Sequence, residues 1–236
     1  MTTQILKATR RGIGLQSYFG RIYNYMAGGL LMSALTAWLS VREPLFSIFY
    51  KINEGILSLS WVGWIAVFAP LLVIFMIGNA TSKLNMTQAK LWFWLFSALM
   101  GISLGNLIFI YSGTAMFQAF LVTAALFLGL SLFGAKTERD LTGLGRFLII
   151  GLIGIILAGI VNIFVGSGQF NFILNVLSVI IFIGLTAYDT NKLKAAYNPD
   201  DSQEIVQAKA IQGALALYLD FINLFRLMLY FLNNRR

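Results

Sequence analysis

The sequence predicts an all-α integral membrane protein with seven transmembrane helices, and three observations carry that prediction. Hydrophobic residues make up 58% of the chain and charged residues only 11%, against roughly 25% charged in a soluble domain. The apolar residues gather into seven runs, each of about 20 residues, the length that one crossing of a bilayer needs. Lysine and arginine fall on alternate connections between those runs, as the inside-positive bias of membrane proteins requires.

In chain order the spans are expected at 22–40, 57–78, 91–110, 114–133, 147–166, 171–190 and 211–232. Residues 1–21 form a polar, basic cytoplasmic segment, and 22–236 a single seven-helix transmembrane domain. No short apolar stretch with a small-residue cleavage site precedes Ile22, so the first span is expected to stay uncleaved. Glu43 and Glu54 fall in the first loop near bases and need no function. Trp61, Trp64, Trp92, Trp94 and Tyr111 sit near span ends, where aromatic rings anchor at the interface. Gly101 to Gly105 is a small-xxx-small packing signal. The connections near Tyr111–Gly113 and Ser167–Gln169 are tight turns, and Asn162, on a stripe with Gly151 and Ala158, reads as a helix-packing residue. Asn198-Pro199-Asp200-Asp201 reads as the cap and first turn of the last helix, with Asp200, Asp201 and Glu204 solvated.

With the N-terminus inside, the inner segments hold Lys7, Arg10, Arg11, Arg21, Lys83, Lys90, Lys136, Arg139, Arg146, Lys192, Lys194 and Lys209, twelve bases against Arg42 and Lys51 outside. The N-terminus is therefore expected in the cytoplasm. Arg235 and Arg236 oppose the rule if the last span crosses, and a re-entrant last segment would put them inside; 211–232 is long enough to cross, which favours crossing.

Composition also removes function classes. The net charge of +8 is scattered over loops, which speaks against nucleic acid as a partner and for the lipid bilayer. Cysteine and histidine are absent, which removes thiol chemistry, haem, iron–sulfur clusters and the usual zinc and copper sites. No resident cofactor is expected. Any response to pH near neutrality must then come from carboxylates. The lack of an internal repeat weighs against an inverted-repeat transporter. Retinal chemistry needs a lysine in the last span, and none follows Lys209.

Asp189 and Asp220 are the acids within the long apolar runs. A carboxylate at membrane depth costs about 2.5–3.5 kcal/mol on insertion scales, so such residues mark function more often than packing. Asn175, Ser178 and Asp189 share a stripe of the sixth span, with Thr186 on its flank, and Asn223 follows Asp220 by three residues. Consecutive spans pack side by side more often than not. Two carboxyls that meet cannot both ionise cheaply, so they share a proton, part, or recruit a cation with hard-oxygen preference. Calcium fits that requirement best, with Asp189 and Asp220 as its ligands. The depth expected for the two aspartates differs by about 8 Å at 1.5 Å per residue, a gap that tilt or a shifted boundary must close. The plainer alternative is an aspartate hydrogen-bonded to a neighbouring helix or paired with Arg226 or Lys209.

Ala187-Tyr188-Asp189-Thr190, the run Ala216 to Phe225 (ALYLDFINLF) and the loop Thr137-Glu138-Arg139-Asp140-Leu141 resemble the Bax inhibitor motif family, bacterial branch. The resemblance covers nearly the whole chain. It implies six helices around a central hydrophobic one, a multi-pass protein of the bacterial inner membrane, and a di-aspartyl pH sensor, here Asp189 and Asp220. It also implies a calcium leak channel whose opening depends on pH, with calcium ions and protons as its partners. Some members carry a basic latch at the inner end of the second helix; Lys83 is the residue nearest that place. The connection between the two aspartates is longer here than in compact relatives.

Two rival classes stand against this. Intramembrane aspartyl proteases also use two membrane aspartates, one in a Tyr-Asp pair. Asp220, however, follows Leu-Tyr-Leu rather than glycines, so an enzyme is not expected. A non-conducting regulatory protein that binds other membrane proteins, such as proteases, is the standing alternative.

Overall fold

A computed structural model describes residues 2–53 and 56–233. Glu54, Arg235 and Arg236 lie outside the described residues, and with them the C-terminal charges that bear on the last crossing. Eleven elements follow in order: α1 (Thr2–Ser40), α2 (Leu45–Phe49), β1 (Tyr50–Asn53), β2 (Ile56–Leu59), α3 (Trp61–Ser82), α4 (Met86–Leu104), α5 (Leu107–Ile110), α6 (Gly113–Lys136), α7 (Thr142–Val165), α8 (Gly168–Ala196) and α9 (Gln203–Asn233).

Among the described residues, six helices are long and apolar enough to cross a membrane: α3, α4 with α5, α6, α7, α8 and α9. The first helix is not among them. Tyr23, Asn24, Tyr25, Ser33 and Thr36 dilute the apolar run expected at 22–40, and the helix extends back to Thr2 through the basic segment. Burial separates the six sharply. Half of α9's most apolar window is buried, against 6% of α7's.

The ends follow local chemistry. Ser60 caps α3 by accepting from the Gly63 amide at 3.0 Å, and Asn85 caps α4 by accepting from Gln88 at 3.1 Å. The tight turns expected near residues 112 and 167 are present as the breaks before α6 and α8. Three expectations are corrected. Asn162 does not serve packing: its side chain accepts from Ser167 at 3.2 Å and its carbonyl from Gly166 at 2.8 Å, closing α7 with Gly166 in the left-handed region. The last helix starts at Gln203, not Asn198. Asn198 forms a turn that receives the Asp200 and Asp201 amides, and Ser202 takes the cap position, accepting from Ile205. Part of the first loop is an antiparallel hairpin, with Tyr50 paired to Leu59 and Lys51 to Ser58. Its alternating apolar residues follow the strand period of two rather than the uniform polarity of a crossing helix.

Residues fall into two compact units, 1–112 with 197–218, and 113–196 with 219–236. In the first, α1 and α4 meet through small and hydroxyl residues. Ser33 donates to the Ser97 carbonyl at 2.6 Å and Thr36 to the Ala98 carbonyl at 2.9 Å. A side chain at Gly101 would collide with the Ser33 backbone, so the small-residue signal there marks a close helix crossing. The Tyr218 hydroxyl lies 2.6 Å from Ser33, and Gln212 donates to Thr81 at 2.6 Å. In the second unit α8 packs on α6 and α7, and it is here that both membrane aspartates reside.

Candidate functional site

Asp189 is held by its two chain neighbours. On one side Tyr188 is buried with Leu148 and Leu185, and its ring lies so close to Gly145 of α7 that any side chain there would collide. On the other side Thr190 is fully buried; its hydroxyl lies 3.0 Å from that of Ser131 on α6 and donates to the Thr186 carbonyl at 2.9 Å. Gly134 lets α6 approach the Ala187 carbonyl closely, and Asn191 donates to the Gly134 carbonyl at 3.3 Å. With residues 188 and 190 tied to α7 and α6, the carboxyl between them is turned to a third direction, as successive positions on a helix require.

Asp220 fills that direction. It is 5% exposed, and its carboxyl lies within hydrogen-bond reach of the Asp189 carboxyl. Its Oδ2 is buried without a hydrogen-bond partner. Phe221 fixes the depth of this turn of α9, its ring 5.8 Å from Phe120 and 5.7 Å from Phe127 of α6. The two carboxyls come within reach despite the depth gap expected from the span boundaries, and α8 runs past its expected boundary to Ala196. Asp189 thus lies about 10 Å inside the end of its helix, deeper than a boundary at residue 190 placed it.

The other expected site residues do not join the pair. Asn175, Ser178, Thr186 and Asn223 each donate to the carbonyl four residues earlier on their own helix, at 2.8, 2.7, 2.8 and 2.9 Å. That bond is the local alternative always open to such side chains in a helix. Lys83 is exposed at the end of α3, in the first unit. The base whose field acts on Asp189 is Lys192, three residues on along α8, its ammonium 5.8 Å from the centre of the Tyr188 ring. Lys192 was legible as an i+3 neighbour of Asp189. Ser131 was not, since nothing in the sequence pairs α6 with α8. The plainer pairings also fail: Lys209 is bonded to Asp201 at 2.6 Å, and Arg226 is exposed.

Chemically, two carboxyls in contact hold one proton between them or carry two charges at close range. An orphaned, buried carboxylate oxygen beside them is an acceptor for a proton, a water or a cation. Among the described residues no group of three or more acids, histidines or cysteines gathers around a common point, so the pair is no dense chelating site.

The family model described as "Inhibitor of apoptosis-promoting Bax1" matches residues 15–236. An uncharacterized protein of Caulobacter vibrioides is 40% identical over 229 residues, covering 94% of this chain and 90% of its own. The inner membrane protein YbhL of Escherichia coli is 37% identical, with 94% of each chain covered. An uncharacterized protein of Rickettsia prowazekii is also 37% identical, covering 94% of this chain and 92% of its own. The chain belongs to the Bax inhibitor family of membrane proteins.

Proposed function

We propose that this Bax inhibitor family protein is a pH-sensitive cation leak pathway of the bacterial inner membrane, gated by Asp189 and Asp220, with calcium as the permeant ion. The observation that carries the reading is the contact of two carboxyls inside apolar helices, one of them with a buried oxygen that no protein group satisfies. With one proton shared, the pair ties α8 to α9. Loss of that proton leaves two like charges where water is scarce, and Coulomb repulsion at such range is far stronger than in bulk solvent. The helices then part, or a cation with oxygen preference takes the proton's place, and calcium suits carboxylate and carbonyl oxygens.

In this reading α1 supplies the first of seven crossings through residues 22–40, with the N-terminus in the cytoplasm on the count of basic residues. The high burial of α9 supports its place as the central helix. The test is calcium flux into proteoliposomes from about pH 5 to 8, a range spanning shifted carboxylates, for wild type, Asp189→Asn and Asp220→Asn. Flux that changes with pH in wild type and loses that dependence in both variants is expected. Folded wild-type protein without flux at any pH overturns the leak reading. It would leave the binding and modulation of other membrane proteins, such as proteases, as the function.

A further inference from the structure

The buried face of α6 carries Ala119, Thr123, Phe127, Ser131 and Gly134, and two of these bear hydroxyls. Ser131 is satisfied by Thr190, beside Asp189. Thr123 is not: it is fully buried, and its Oγ1 has no hydrogen-bond partner. That is unusual, because a threonine in a helix can donate to the carbonyl four residues back, as Thr186 and Thr190 do here. Its level along α6 is fixed by Phe221, whose ring packs on Phe120 and Phe127, the residues that bracket Thr123. Phe221 adjoins Asp220, whose Oδ2 is, among the described residues, the other buried side-chain oxygen of this unit without a hydrogen-bond partner. Two unpartnered oxygens thus occur on facing helices that meet through rings. Ser131 and Thr123 are eight residues apart on α6, about 12 Å at 1.5 Å per residue. Thr190, the neighbour of Asp189, contacts α6 at one end of that interval, and Phe221, the neighbour of Asp220, contacts it around the other.

From this juxtaposition we infer that Thr123 supplies the next oxygen beyond the Asp189–Asp220 pair on the cation's route, a hydroxyl ligand for a partly dehydrated divalent ion. A hard cation accepts neutral oxygens alongside carboxylates. A hydroxyl left free of its own helix can turn its lone pairs to the ion without first breaking a bond. The inference rests on the leak reading and adds a residue to it.

The test is Thr123→Val, which keeps the shape and removes the oxygen, beside Thr123→Ser, which keeps the oxygen. Calcium flux into proteoliposomes and the calcium-dependent shift in Tm of detergent-solubilised full-length protein are both read. Thr123→Val is expected to lower flux several-fold at every pH, with the pH midpoint in place, and to shrink the Tm shift. Thr123→Ser is expected to retain both. Wild-type flux matched by Thr123→Val, with Tm in the absence of calcium unchanged, overturns this inference and leaves the leak reading standing. Neither flux nor calcium-dependent stabilisation in wild type overturns both.

Discussion

Asp201 and Asp220 both belong to the last stretch of the chain, and they are answered in opposite ways. Asp201, in the connection before α9, meets Lys209 at 2.6 Å and lies near the buried Tyr18 hydroxyl, which burial, with the Asp201 charge, pushes up to about 12. Asp220 meets another carboxyl and keeps one oxygen unpartnered. An acid facing a base is satisfied by a fixed charge and serves as a static clasp. An acid facing an acid depends on a proton, so its arrangement follows the solution. The solvated capping role expected for Asp201 is corrected by the same comparison: its side chain is only 14% exposed and paired with a base eight residues on.

The largest effect is expected where the contrast is removed outright. In the proposed gate, Asp220→Asn or Asp189→Asn replaces a proton-dependent contact with a permanent amide hydrogen bond, and flux against pH in proteoliposomes should flatten. A pH profile like wild type's would place the switch elsewhere. Next comes the frame behind Asp189. Gly134→Ala forces a methyl group into the Ala187 carbonyl, and overpacking of this kind costs about 1–3 kcal/mol; Tm should fall, and an unchanged Tm would show that α6 and α8 can slide apart freely. Ser131→Ala removes the partner of Thr190, a loss of about 1 kcal/mol, read in the same melting experiment. A smaller change is expected at the static pair. Lys209→Met breaks a contact whose base is 32% exposed, and such pairs are worth about 0.2–1 kcal/mol. Its effect on flux should be the same at each pH, because no proton is exchanged there. A shifted flux midpoint in Lys209→Met would break the comparison.

The smallest effect concerns Asp140, in the α6–α7 connection. The Thr142 hydroxyl and amide donate to its Oδ1 and hold its carboxyl below the usual carboxylate range. A depressed value in the folded protein means that this contribution is present above the unfolded value, near 3.9, and is lost as pH falls through the folded one. Thr142→Val should therefore alter stability slightly near neutrality and not at all in strong acid, as melting curves at the two extremes would reveal.

Much of the fold was legible because the bilayer imposes one length and one polarity on a crossing helix. Six helices match the expected runs, and the turns at residues 112 and 167 match expected breaks. The hairpin at 50–59 and the cap at Ser202 were missed for the same reason: both are decided by a few local hydrogen bonds that a 20-residue window averages away. At the site, the two aspartates stood out because charge is costly in lipid. Their supporting cast did not. A polar stripe on one helix does not say whether its side chains reach across or fold back, and Asn175, Ser178, Thr186 and Asn223 fold back.

By itself the sequence determined the class of the molecule, the span lengths and the identity of the two membrane acids, since each follows from composition and from transfer free energy along one chain. Tertiary structure alone decided which residues answer those acids. It set Asp189 against Asp220 and Asp201 against Lys209. It tied Thr190 to Ser131, and it left Thr123 and Asp220 each with an unpartnered oxygen. Those outcomes depend on the relative rotation and depth of helices far apart in sequence. Small residues such as Gly134 and Gly145 set that geometry through contacts that no single helix contains.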